Sequence, residues 1–147
     1  MDRSNAGATT AATAGHSRKT AMNPPAVPAP IRGYYSNCVR VQAGTLLFIS
    51  GQIGTDTNGR LVGKDDVAAQ ADQALRNIDL LLKANDASMK DVVKVTVYVT
   101  DMDYLDVIAP VRMKYFPADG PASAIVEVSR LALPDVKVEI EAIAAVK

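Results

Sequence analysis

Of the side chains that most often do chemistry, this chain has one histidine, His16, and one cysteine, Cys38. A lone imidazole set among Ala, Thr, Ser and Gly excludes a His-based triad or dyad, or a zinc site, within the folded part of one chain. A lone cysteine excludes an intrachain disulfide framework and fits a reducing compartment. Carboxylates, hydroxyls and guanidinium groups remain. Near the C-terminus Lys137, Glu139 and Glu141 are spaced by two, so in a strand they share one face. By spacing alone such a row reads as an ordinary charged stripe, with general acid/base work the alternative for a carboxylate in it that is partly buried.

The elements that must hold this row are legible from periodicity. Val138, Ile140 and Ala142 alternate with the charged positions, and upstream Val93, Val95, Val97 and Val99 alternate with Lys94, Thr96, Tyr98 and Thr100. Both are the period-two pattern of half-buried strands. The apolar set Val67, Ala71, Ala74, Ile78, Leu81 and Leu82 recurs at helical spacing, with Asp65 or Asp66 placed to cap its start. A second helix runs through Tyr104, Val107, Ile108, Val111 and Tyr115 behind a cap at Asp101 or Asp103, bent or loosened at Pro110. Val39–Val41 and Thr45–Ser50, joined around Gly44, read as a hairpin, and Ala124–Val128 adds a further strand. The order is ββαβαββ, an α+β two-layer domain with its helices on one sheet face. The other face carries Lys94, Thr96 and Tyr98. That mixed character suggests contact with another subunit, with a solvated antiparallel face as the alternative.

With 147 residues and 15.5 kDa there is room for one domain. Residues 1–30, rich in Ala, Thr and finally Pro, read as a disordered tail, and 31–147 as the folded unit. Met22 is a candidate start, with a transit peptide the weaker reading of the basic residues before it. No apolar segment matches a secretory signal or a membrane span, so the expected location is the cytoplasm. Sixteen basic and sixteen acidic residues cancel, which argues against nucleic-acid partners and RNA cleavage.

Four segments occur in one order: Gly33-Tyr34-Tyr35-Ser36, Ser50-Gly51-Gln52-Ile53, Val126-Glu127-Val128-Ser129-Arg130-Leu131 and Val138-Glu139-Ile140-Glu141-Ala142-Ile143-Ala144. Together they resemble the RidA (YjgF-type, reactive intermediate deaminase) family over about residues 33–145. The resemblance implies a chorismate-mutase-like fold and a homotrimer whose sheets form a central barrel with pockets between subunits. It also implies hydrolysis of enamines and imines without metal or organic cofactor. It assigns Glu139 as the water-activating acid/base and Tyr35 as a pocket wall whose hydroxyl meets the ligand. Ser50 and Gly51 fall at a strand end that a small ligand can approach. Glu127 and Arg130 recur in the family and are also readable as a structural pair.

At one place the chain departs from that pattern. Deaminating members read Pro-Ala-Arg where this chain has Pro121-Ala122-Ser123, so the arginine that grips the substrate carboxylate is missing. Ser123 offers one neutral hydrogen bond in place of a charged fork, a loss of about 1.5–3 kcal/mol. Ile125 stands where the family has a cysteine or similar residue, which makes the pocket more apolar. Arg112, on the second helix, is a candidate substitute for the lost charge. Two functions follow: a cofactor-independent hydrolase of an enamine or imine, or a small-molecule binding or regulatory trimer that has lost deamination.

Overall fold

A computed structural model describes residues 19–42 and 44–146. A four-stranded sheet in the order β3-β6-β4-β5 is built from β3 (Thr45–Ile53), β4 (Val92–Val99), β5 (Ala122–Glu127) and β6 (Val138–Val146). β6 is antiparallel to both β3 and β4, whereas β4 and β5 are parallel. A parallel pair needs a crossover, here supplied by α2 (Leu105–Tyr115) behind a short 3-10 turn at Met102–Tyr104. With α1 (Val67–Lys83) connecting β3 to β4, both helices lie on one sheet face.

The core between these layers follows the expected periodicities. Val95, Val97 and Val99 of β4 and Val138, Ile140 and Ala142 of β6 pack against Leu75, Ile78 and Leu82 of α1 and Ile108 of α2. Asp66 caps α1, its Oδ1 accepting from the Ala69 N–H at 3.0 Å. α2 is continuous through Pro110, and Asp101 accepts from the Asp103 N–H just before it.

The expected hairpin is corrected. β2 (Cys38–Val41) pairs with β1 (Lys19–Met22) in a separate two-stranded ladder, not with β3. A four-residue segment with one charged member carries no register of its own, and β2 takes β1 as its partner while β3 pairs only with β6 among the described residues. β1 lies inside the stretch expected to be a disordered tail; Lys19 Nζ ties it to the Val92 carbonyl at 2.7 Å. His16 and the rest of residues 1–18 lie outside the described residues.

The sheet face away from the helices is left open. Phe48 is 71% exposed there and Leu46 half exposed, next to Lys94, Thr96, Tyr98 and Ile143. A large aromatic standing in water on a sheet face is a feature of contact surfaces.

Candidate active site

Two groups of the expected residues come together, in two different places. The first lies on the helix side, at the start of β5. There Tyr34, Tyr35, Arg112, Ser123 and Ile125, with Ile31, Arg32 and Leu105, line a cavity of about 190 Å³. The Tyr34–Ser36 segment is held beside β5 by two bonds. The Ser36 N–H donates to the Pro121 carbonyl at 3.2 Å and its Oγ to the Gly120 carbonyl at 2.8 Å. Gly120 makes this approach feasible, since a β-carbon there would collide with the Tyr34 carbonyl oxygen.

Arg112, the candidate substitute for the missing charge, is the charged member buried among them. It falls four residues after Ile108, on the stripe of α2 that faces the core, and is 2% exposed. Its Nη2 donates to Ser123 Oγ at 2.7 Å, and its guanidinium carbon lies 4.4 Å from the Tyr34 ring centroid. Desolvation lowers its pKa from the usual arginine value, and the neighbouring Tyr34 partly opposes this. Arginine nevertheless remains a cation in proteins. At the rim Arg32 is paired with Asp106.

The second group lies on the open face, towards the other edge of the sheet. Glu139 on β6 stands opposite Ile53 of β3 and Tyr98 of β4. β3 carries a bulge between Ile49 and Gln52, which places Gly51 beneath this carboxylate. A β-carbon on Gly51 would collide with Glu139 Oε1. Ser50 lines a shallow depression of about 410 Å³ with Phe48, Lys94, Thr96, Glu141 and Ile143. The Tyr98 hydroxyl donates to Glu141 Oε1 at 3.1 Å; that bond is the main cause of its raised pKa, with burial and the charges of Glu141 and Glu139 adding to it.

Gly51→Ala is therefore expected to destabilise the protein by about 1–3 kcal/mol, the range for overpacking. In the Glu139→Ala background, where no carboxylate need move, the penalty should largely vanish. Urea unfolding of the four variants of this cycle measures the coupling.

The two groups do not meet within one chain. β3 and β5 are opposite edges of the sheet, three strand spacings or about 14 Å apart. Ser123 and Ile125 pair with Val95 and Val97, whose side chains face the helices, whereas Glu139 projects to the other side.

Sequence reasoning passed over Tyr34, the ring beneath Arg112, because adjacent tyrosines in a loop give no sign of which is buried. Glu127 and Arg130 form no ion pair among the described residues; Glu127 Oε2 accepts from the Met102 N–H at 2.8 Å.

The Endoribonuclease L-PSP family model matches residues 26–146, nearly all of the described chain. The chain belongs to the RidA (YjgF) family. It is similar to a RutC family protein of Pyrococcus horikoshii, 45% identical over 80% of this chain and 90% of that one. It is also 32% identical to a 2-iminobutanoate/2-iminopropanoate deaminase of Dermatophagoides farinae, over 89% and 99% of the two chains. A solved structure of a Rid-family protein from Yersinia pestis matches with a TM-score of 0.82 and 33% identity, over 88% of this chain and all of that one. The RidA-type α+β fold is thereby established. Among the described residues no helix is long and apolar enough to cross a membrane, and no three His, Cys, Asp or Glu side chains are grouped to hold a metal ion.

Proposed function

We propose that this protein hydrolyses a reactive enamine or imine to a carbonyl compound and ammonia, in a pocket completed by two copies of the chain. The observation that carries this reading is the separation of the two groups of residues. One chain presents a ligand-sized cavity that no carboxylate lines; on the opposite face Glu139 stands on the sheet, outside the lining of the shallow depression beside it. Docking the β3 edge of one copy against the β5 edge of another would unite them, and the exposed Phe48 and Leu46 lie on the surface such an assembly would cover. The relatives named as iminobutanoate and iminopropanoate deaminases support the chemistry, and the homotrimer is the assembly proposed for it.

The reaction asks little of the protein. An iminium carbon is already electrophilic, so water must be positioned and protons moved. Glu139 accepts a proton from water as its oxygen bonds to the carbon, forming a carbinolamine. That proton then passes to nitrogen; as the C–N bond breaks, Glu139 takes the hydroxyl proton, so the carbonyl forms and ammonia leaves. An enamine is first protonated at carbon to give the iminium. Tyr35 walls the cavity, Ile125 makes it apolar, and Ser50 and Gly51 border the incoming water. The zero net charge gives no support to an RNA substrate.

Complementation between chains tests the shared pocket. A Glu139→Gln chain and a chain with the cavity blocked by Ile125→Trp should each be inactive alone. Unfolded and refolded together, they should recover a substantial fraction of wild-type ammonia release, since some pockets then draw an intact half from each chain. No recovery in mixed oligomers would overturn the two-copy pocket, and sedimentation as single chains would overturn the assembly.

A further inference from the structure

The buried guanidinium points to what the pocket binds. Arginine in a core stripe is costly unless its charge is answered, because removing an ion from water carries a penalty of several kcal/mol. The groups that hold Arg112 are the Ser123 hydroxyl and the Tyr34 ring, neither of them a carboxylate. Among the described residues no Asp or Glu forms an ion pair with it, yet it lines an open cavity of about 190 Å³. A guanidinium has five N–H donors in a planar fork, and one bond to a hydroxyl leaves most of the fork available. The other guanidinium in the lining, Arg32, is already answered by Asp106, and the remainder is largely apolar: Ile31, Tyr34, Tyr35, Leu105 and Ile125.

We propose that Arg112 binds the substrate's carboxylate, with Ser123 as its positioning residue, so that the site takes 2-imino acids carrying an apolar side chain. This rests on the hydrolytic reading above. It also accounts for the serine in β5. With Nη2 at 2.7 Å from Ser123 Oγ, a long side chain at position 123 would occupy the space the guanidinium fills. A short hydroxyl both makes room for the charge that arrives from α2 and fixes the rotamer of Arg112. The charge is therefore supplied from the helix, and the absence of an arginine at position 123 does not by itself make the pocket neutral.

Calorimetric titration of the full chain with 4-methyl-2-oxopentanoate, a product-like anion, and with the neutral ketone 4-methyl-2-pentanone separates charge from shape. The acid is expected to bind at least about tenfold more tightly than the ketone. Arg112→Met should weaken the acid by roughly 10- to 100-fold and leave the ketone unchanged. Ser123→Ala should raise KM for the imino acid several-fold at unaltered kcat, which a merely structural role would not produce. In the Arg112→Met background, adding Ser123→Arg should restore most of the acid affinity by returning the charge from β5. Equal binding of acid and ketone by wild type, or undiminished acid binding by folded Arg112→Met, would overturn the proposal. Should Arg112→Met not fold, Arg112→Lys reads the same question: it keeps the charge, loses the fork and should bind the acid at intermediate strength, and full wild-type affinity would overturn the fork. Oxo-acid binding needs no turnover, so it stands apart from the hydrolytic reading. Absence of ammonia release from every imine would sink that reading alone, whereas imino-acid hydrolysis undiminished in Arg112→Met would sink only the carboxylate assignment.

Discussion

Glu139→Gln is expected to lower enamine or imine hydrolysis by about 10²–10⁴-fold, the range for removing a positioned general acid/base. Glutamine keeps the length and shape of the side chain over Gly51, so the backbone fit on which Glu139 rests is retained. What it loses is the capacity to take a proton from water and pass it to nitrogen. Ammonia release from imines generated in situ measures the effect, alongside 4-methyl-2-oxopentanoate affinity, which should be nearly unchanged because the carboxylate grip lies in the other group of residues. A rate within threefold of wild type would remove Glu139 from the mechanism. Hydrolysis indistinguishable from buffer already in the wild-type protein would instead favour the binding trimer without turnover.

The largest expected effect on stability comes from a residue that touches neither half of the pocket. Gln70 is fully buried on α1 and joins two loops. Its amide nitrogen donates to the Gly63 and Asp135 carbonyls, each at 3.0 Å, and to Lys64 at 3.3 Å; its oxygen accepts from the Lys137 N–H at 2.8 Å. Gln70→Leu preserves volume but strips partners from several backbone groups, each costing about 1–3 kcal/mol when left unsatisfied in the interior. A loss of about 3 kcal/mol or more is expected, read as a lower urea midpoint at unchanged slope. Because Lys137 leads directly into β6, the same substitution should loosen the backbone ahead of Glu139, seen as faster amide exchange at residues 136–138. A midpoint unchanged within error would show that these loops find other partners.

The parts of the fold that were legible in the chain are those set by local periodicity. The 93–99 alternation became β4, the 67–82 stripe became α1 with Asp66 as its cap, and the two faces of 138–144 separated as their spacing requires. The parts that were not legible depend on partners distant in sequence. β2 pairs with β1, although β3 was closer along the chain, and nothing within four residues records which partner they take. Glu127 turned to the start of the α2 turn and away from Arg130 for the same reason: a free backbone donor happened to face it.

Within the candidate site the division is sharper. By itself the chain determined the inventory: no imidazole after residue 16, one carboxylate row near the C-terminus, a serine where the family pattern has an arginine, and an arginine four residues beyond an apolar isoleucine in the second helical stripe. Side-chain type and helical phase are local properties, and they need no knowledge of the fold. Only the tertiary structure decided that Arg112 and Ser123 touch, that Tyr34 lies beneath the guanidinium, and that Glu139 is on the opposite side of the sheet from the cavity. Those facts follow from how α2 crosses from β4 to β5 and from the outermost positions of β3 and β5 in the sheet, and such packing is a sum over many weak contacts that no short segment encodes.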